Sequence, residues 1–487
     1  MAAPAAVFVF PSAAGHVNPS LPLCRGLVNR GWRVDYLSVV TFQSSIESTG
    51  ATFHNRDVVC AEFGFHDLTA MTMKTFDEYD TPGAKMWALN FGSIMAEKVL
   101  PVYIQFLTQC SPRVVVYCPV LCQVARFAAL KLGIPHVSLL TAAGPGYWDA
   151  AFASPAAGGV TAAGLIATIQ RTDANTRAVE SIRAQIGEPG DELTLNTDAE
   201  KPVVCDYYTD TNLVTTTASL ADKLNDKDAA YYEAVGKTFE FLGPLFFPSS
   251  EGSEHQATVA AMCAESVAVL FRNVDEAMAG GQRIVYVSLG TVLTSASDQL
   301  HGWEGRSGSA ITGRELCQGV YRAVFALLGV GSTTPLLSPP PLIIVSTGPQ
   351  TDALDGLAVP PNAVCLQSVP QVSLLQRARP SLAAAVIHGG QNSFMEALSV
   401  GAPLVVCPGF GDQIANANRA QVLGVGVKVD RPHQCGDKYE ASVAEAIRSV
   451  LDTHHQAFVT RAQVVAQELQ QAPGLARAVE LVSAAAN

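Results

Sequence analysis

Residues 388–418 read HGGQNSFMEALSVGAPLVVCPGFGDQIANAN, and this stretch decides the fold. The run before it, Leu382–Ile387 (LAAAVI), is short, apolar and continuous, the pattern of a buried strand. Gly389 and Gly390 then make a tight turn in which backbone can approach a ligand closely. Asn392 or Ser393 is expected to cap the following helix, which carries Phe394, Met395, Ala397 and Leu398. A strand, a glycine turn and a helix N-terminus present free N–H groups and the positive end of a helix dipole to an anion. His388 stands at the strand's end, within reach of the same anion. Glu396, one turn into the helix, can accept hydrogen bonds from sugar hydroxyls. A second unit repeats the arrangement: Pro403–Cys407 (PLVVC) is a strand, and Gly409-Phe410-Gly411 turns the chain to deliver Asp412 and Gln413. A carboxylate beside an amide suits a polyhydroxylated ligand. The local reading is a phosphate-bearing sugar held between two strand–helix junctions.

Outward from this stretch, short β-rich runs alternate with helical ones. Val7–Phe10 leads to a helix over Leu21–Arg30 and then to Val34–Ser38. Arg113–Tyr117 leads to a helix over Cys122–Leu132 and then to His136–Leu139. The second half repeats the pattern in Arg283–Leu289, Leu342–Ser346, Ala363–Gln367, Ala383–Ile387 and Leu404–Cys407. Such alternation predicts an α/β chain of parallel sheets with helices on both faces, and ligands bind beyond the carboxyl ends of the strands. The expected divisions are residues 1–243, a linker over 244–254 (GPLFFPSSEGSE lies around it), residues 255–455, and a helical segment over 456–487 packing back on the first domain. Residues 150–200 read as a variable helical insert near the acceptor. Residues 294–334, with the polar, glycine-rich HGWEGRSGSAITGREL, read as a surface loop in preference to a lid.

Composition excludes several classes. The chain is acidic, with a net charge of -12 and only 15% charged residues, which argues against nucleic acid or an anionic membrane surface as partner. Eleven cysteines without paired CxxC spacing read as reduced thiols in a reducing compartment. The apolar start MAAPAAVFVFP lacks the basic residues of a signal peptide, the first arginine being Arg25, and its apolar run serves as the first strand. No apolar run reaches the roughly eighteen residues of a membrane span. A cytoplasmic protein is expected. The single Asp-x-Asp pattern, Asp226-Lys227-Asp228, reads as a solvated helix face, so no metal is expected.

The ordered set HGG-x-NS-x-x-EAL, G-x-P and DQ-x-x-N-A resembles the donor-binding signature of family 1 glycosyltransferases, the UDP-sugar-dependent enzymes that include plant secondary-metabolite and bacterial macrolide glycosyltransferases. FVFPSAAGHVNPSLPLCRGLVNRGW, FEFLGPLF (Phe239–Phe246), VYVSLGT (Val285–Thr291) and SVPQVSLL (Ser368–Leu375) are similar to further family segments, so the likeness covers nearly the whole chain. The resemblance implies a GT-B fold, two Rossmann-like parallel-sheet domains facing across a cleft. It implies His16 as the general base that deprotonates the acceptor hydroxyl, a task suited to imidazole because its ordinary pKa of ~6.5 lies near operating pH. It implies uracil contacts from Val369 and Gln371, diphosphate contacts from His388, Asn392 and Ser393, and a ribose contact from Glu396. Asp412 and Gln413 would bind the transferred sugar, and Gln413 favours glucose. Gly15, Gly390, Ser288, Gly290 and Thr291 complete the implied donor set. The plant members stack a Trp on the base where this chain has Ser368.

The chain departs from the family where the base is oriented. The family's Asp is expected one residue after Tyr117, and this chain has Cys118. A carboxylate there holds the histidine's tautomer and stabilises the imidazolium that forms. Three readings follow: His16 acts without an anionic partner, on acidic acceptors or slowly; another carboxylate such as Asp149 reaches it; or the protein binds donor without turnover. The first is favoured. Leaving-group charge would be met by a helix N-terminus and His388 acting as positive potential, with no cofactor or metal. The overall reading is an inverting transferase moving glucose from a UDP-sugar to a small apolar hydroxylated acceptor. A nucleotide-sugar-binding pseudoenzyme and a nucleotide-sugar epimerase are the alternatives. Acceptor-site candidates are Phe91, Tyr147 and Trp148, with Phe63, Phe65, Met71, Met73 and Trp87 as further apolar residues that serve equally as core.

Overall fold

The structure is a computed structural model. It describes residues 3–65, 84–152, 164, 167, 170, 172–198, 200–247, 264–295, 302–306, 310–333, 335–432 and 438–487. The chain forms two compact units, Met1–Pro248 with Ala472–Asn487, and Ser249–Gln471.

The first unit is built on seven parallel strands: β1 (Ala5–Val9), β2 (Arg33–Ser38), β3 (Thr52–Asn55), β4 (Val114–Tyr117), β5 (His136–Leu140), β6 (Thr211–Val214) and β7 (Thr238–Phe241). Their order is β3-β2-β1-β4-β5-β6-β7. Valine, leucine and aromatic residues dominate these runs and suit a pleated, buried sheet. The chain winds outward in one direction from β1 and in the other from β4, so the topological switch lies between these two strands. Val9 and Tyr117, the last residues of each, pair in register. Whatever follows them leaves the sheet side by side.

Helix α1 (Ala14–Asn29) begins seven residues earlier than Leu21, where the sequence reading starts it, and His16 therefore lies in its first turn. Pro19 and Pro22 lie inside this helix, where each forfeits a backbone hydrogen bond. Both are buried together with Leu21 and Leu23, and that packing outweighs the local penalty.

The second unit has six parallel strands: β8 (Ile284–Ser288), β9 (Leu342–Ser346), β10 (Ala363–Leu366), β11 (Leu382–Ile387), β12 (Leu404–Val406) and β13 (Gly426–Lys428). The order β10-β9-β8-β11-β12-β13 puts its switch between β8 and β11. Ser288 and Ile387 pair at the ends of those strands.

The described residues of the segment 294–334 do not form a surface loop. Trp303 is 3% exposed and Ile311 is 7% exposed, and the Trp303 indole N–H donates to Asp352 at 3.2 Å. Helix α2 (Gly313–Leu328) follows, its apolar face buried against Val285, Val287, Ile343 and Val345. Thr312 and Glu315 form a capping box at its start. The T-x-x-E spacing was present in TGRE, and the surrounding glycine and serine obscured it.

The carboxyl-terminal segment divides. In the second unit α3 (Gln371–Ala378), α4 (Gln391–Ser399) and α5 (Asp412–Leu423) connect β10 to β11, β11 to β12 and β12 to β13, and α6 (His455–Gln471) comes after the last strand and packs on α4. The last helix, α7 (Gly474–Ala485), packs on α1 in the first unit, and Gly474 N–H donates to Leu242 C=O at 2.9 Å. The segment 456–487 is thus shared between the units, with the change between Gln471 and Ala472, just before Gly474, which has φ +64°. Among the described residues no helix is long and apolar enough to cross a membrane.

Candidate active site

In the second unit the stretch expected to bind donor folds around the β8/β11 switch. Gly290 follows β8 with φ +75°, and Gly389 follows β11 with φ +86°. The His388 imidazole fills the space beside them: a Cβ added at Gly290 or at Gly390 would lie 2.3 Å from its Nε2. Burial lowers His388 to a pKa of about 4, against a small opposing effect of the Ser288 backbone. His388 is therefore a neutral ring at physiological pH. It contributes a hydrogen-bonding nitrogen and not the positive charge expected of it.

The helix start differs from the expected cap. Gly390 is the N-cap of α4 and offers no side chain to the first turn. Glycine is accepted at this position, and it leaves Asn392 and Ser393 within the turn. The positive potential here comes from the helix end itself. Ser393 Oγ accepts from Gln371 Nε2 at 3.1 Å, and the same amide donates to Glu396. Tyr286, deep in β8, donates from its hydroxyl to Gln371 Oε1 at 2.6 Å. One amide thus ties β8, α3 and α4 together. Burial raises the Glu396 carboxyl to about 7, with the Gln371 hydrogen bond acting against the rise. Val369 is buried just before α3.

Gln413 is buried, and its Oε1 accepts the Gly409 N–H at 2.8 Å, which holds the loop before α5. Asp412 is the first residue of that helix. Asn416, fully buried, donates from Nδ2 to Gly389 C=O at 2.9 Å and to Gln391 Oε1 at 3.1 Å. Asn416 and Tyr286 were legible only as motif letters; Asn416 holds the HGG turn and Tyr286 holds Gln371 beside it. Ser288 is buried at the end of β8, and Thr291 is exposed after it.

In the first unit three side chains meet at the β1/β4 switch. His16 Nδ1 lies 2.9 Å from Thr141 Oγ1 and 3.3 Å from Cys118 Sγ. Gly15, exposed beside His16, shares the first turn of α1. Thr141 and Cys118 are both buried, one residue beyond β5 and β4 respectively. Burial pushes the Cys118 thiol up to about 12, although the backbone N–H groups of Leu121 and Val120 favour its ionised form. It is a neutral thiol. Burial lowers His16 to about 4. Asp149 does not supply the missing carboxylate: its Oδ2 accepts from Asn225 Nδ2 at 2.7 Å. Closeness in the chain to Tyr147 and Trp148 suggested it, but in the short helix Tyr147–Phe152 it meets Asn225. Sequence reasoning missed Thr141, a single threonine after a strand with no distinctive spacing.

Tyr147 is buried and its ring lies 5.0 Å from that of the partly exposed Trp148. Phe63 and Phe65 are half-buried. Met71, Met73 and the side chains of Trp87 and Phe91 lie outside the described residues. Asp226-Lys227-Asp228 starts a helix, with Lys227 paired to the exposed Glu200 at 2.8 Å. Among the described residues Asp35, His54 and Cys110 are grouped closely enough to share a metal ion. They belong to β2, β3 and the end of the helix Ala84–Cys110, and Arg33 already pairs with Asp35 at 3.1 Å.

Two doubly wound parallel sheets, each with a polar motif at its switch point, are the architecture of the GT-B fold. Solved structures share this fold: the glycotransferase of kitacinnamycin, with TM-score 0.63 and 20% identity over 100% of both chains, and Os79 from O. sativa in complex with UDP, with TM-score 0.58 and 18% identity over 98% of this chain and 99% of that one. Residues 352–461 match the family model "UDP-glucoronosyl and UDP-glucosyl transferase". The NDP-glycosyltransferase YjiC of Bacillus subtilis is 32% identical over 142 residues, which is 29% of this chain and 34% of that protein. Over residues 352–461 the chain is similar to the UDP-glycosyltransferases, and over its whole length the likeness is one of fold. The match spans about a third of the length of the first curated relatives, 34% and 33%.

Proposed function

We propose that this protein is an inverting glycosyltransferase that moves glucose from UDP-glucose to a hydroxyl of a small apolar acceptor. The observation that carries the reading is the HGG turn at the β8/β11 switch, which joins an α4 start with glycine at its N-cap to the His388 imidazole and the Glu396 carboxyl. Diphosphate oxygens accept hydrogen bonds from the α4 N-terminus and His388, the ribose hydroxyls donate to Glu396, and Asp412 takes the sugar hydroxyls.

His16 acts as the base. The acceptor's hydroxyl proton passes to Nε2, because Nδ1 is engaged by Thr141 and Cys118. The acceptor oxygen bonds to the anomeric carbon as the bond from that carbon to the diphosphate breaks, and UDP leaves with the electron pair. A single in-line displacement inverts the configuration. Fixed dipoles supply the leaving-group stabilisation, so the reaction is metal-independent in this reading. The described cysteines are free thiols, which supports a cytoplasmic, reducing setting.

The test is incubation with UDP-glucose, a panel of phenols and aliphatic alcohols, and EDTA, following UDP release and glycoside mass. Glycoside formed in EDTA and lost in His16→Ala supports the reading. UDP-glucose binding without glycoside from any acceptor, in the wild type and in Cys118→Asp, would favour a donor-binding protein that does not transfer.

A further inference from the structure

We infer that Thr141 is the positioning residue of His16, and that the base is held by a neutral hydroxyl where a carboxylate is the usual holder. This rests on the reading of His16 as the base. Three observations carry it. Thr141 Oγ1 lies 2.9 Å from Nδ1, an ordinary hydrogen-bond length, whereas the thiol of Cys118 lies at 3.3 Å and is a weak partner. Thr141 is 3% exposed, so surrounding packing holds its hydroxyl in place. It also stands one residue past β5, the strand adjacent to β4, where the sheet itself aims it at the β1/β4 switch.

The chemical consequence differs from that of a carboxylate. An anion accepts from Nδ1–H only and so fixes one tautomer, with Nε2 ready to take a proton. A threonine hydroxyl accepts or donates. When it accepts from Nδ1–H, Nε2 carries the lone pair and the base is competent. When it donates to Nδ1, Nε2 carries the proton and the base is idle. A hydroxyl also cannot neutralise the imidazolium that forms as the acceptor gives up its proton. The arrangement therefore favours acceptors that part with the proton easily, which means hydroxyls of phenolic acidity and not aliphatic alcohols.

The experiment compares Thr141→Val, which keeps the shape and removes the hydroxyl, with Thr141→Ser, which keeps the hydroxyl. Steady-state kinetics with UDP-glucose and a phenol are run beside ¹⁵N NMR of the His16 ring. Thr141→Val should lower kcat about tenfold with KM for UDP-glucose little changed, the loss expected for one neutral hydrogen bond, and Thr141→Ser should retain most of the activity. The ring nitrogen shifts should report a changed tautomer balance in Thr141→Val and not in Thr141→Ser. Unchanged kcat and unchanged ring shifts in Thr141→Val would overturn the inference, as would equal losses in both variants. Absence of transfer in the wild type would defeat the proposed function instead, and the ring shifts would still decide whether Thr141 holds His16.

Discussion

A Cβ on Gly290 would stand 2.3 Å from Nε2 of His388, so the loop after β8 and the residue after β11 share a space that only glycine leaves open. The close approach is a product of the sheet order. β8 and β11 are neighbours, Ser288 pairs with Ile387, and the chain leaves both strands at the same level.

Gly290→Ala is therefore expected to fail twice over. At φ +75° the new side chain costs about 1–2 kcal/mol through backbone conformation alone. The methyl must also push the imidazole away from the HGG turn. The expected outcome is a lowered melting temperature with UDP affinity reduced tenfold or more, on the order of the loss of one well-made hydrogen bond. Calorimetric titration of UDP into the folded variant checks it. Wild-type affinity would show that His388 does not contact the ligand.

At the other switch point the expected change is a gain. The Cys118 sulfur is faced by the N–H groups of Leu121 and Val120 and lies 3.3 Å from Nδ1, a setting already suited to an anion. Cys118→Asp should accept Nδ1–H, fix the tautomer and stabilise the imidazolium. His16, held down at about 4 by burial, would then rise. A base works unprotonated, so activity is lost as pH falls through its pKa. At saturating UDP-glucose the wild type should keep its kcat down to pH near 4, while the variant should lose it at higher pH. At pH 8 the variant should be faster with aliphatic alcohols by roughly tenfold or more, the scale of general-base effects. A pH–rate profile for both proteins checks the limb, and an unmoved limb would mean that the carboxylate does not reach the ring.

Much of this architecture was legible before any coordinates. The strand over Leu382–Ile387 and its partners Ile284–Ser288 and Leu404–Val406 are short, mostly aliphatic runs, a pattern that leaves little choice. The donor motif was legible because strand end, glycines and helix start are contiguous in the chain. The holder of His16 was not, because Thr141 is 125 residues away and carries no spacing signal. Asp149 was a reasonable substitute on composition, but hydrogen bonding to Asn225 uses its carboxylate elsewhere. Residues 294–334 misled in the opposite direction: their glycine and serine content read as solvent-facing, while two apolar side chains, Trp303 and Ile311, anchor the segment in the core.

The last helix offers a test confined to the first unit. A Cβ at Gly26 of α1 would lie 2.6 Å from Cγ2 of Val479 in α7, and Val479 and Val482 are buried there. Gly26→Val should overpack this contact and cost about 1–3 kcal/mol. Limited proteolysis should then cut near residues 471–474 faster than in the wild type. UDP affinity should be unchanged, since the donor motif lies in the second unit. A variant with wild-type melting and cleavage would show that α7 can shift at little cost.

Glu396 links pH to donor binding. Its carboxyl is raised to about 7 by burial, from an ordinary value of 4.5. Between those values the folded protein holds a proton that the unfolded chain has released. This group's contribution to stability is therefore complete below about pH 4.5 and is lost as pH rises through 7, on the order of 1–3 kcal/mol. Ligand binding runs the other way. The ionised carboxylate accepts ribose hydroxyls more strongly than the acid, so UDP affinity should increase from pH 6 to pH 8. Glu396→Gln should remove both dependences: its melting temperature should fall less across that range, and its UDP affinity should be flat with pH. At pH 8 the variant should bind UDP about tenfold more weakly than the wild type, the usual difference for a charge-assisted hydrogen bond. Titrations at pH 6, 7 and 8 with both proteins decide the matter, and parallel pH curves would mean that Glu396 titrates outside this window or does not meet the ribose.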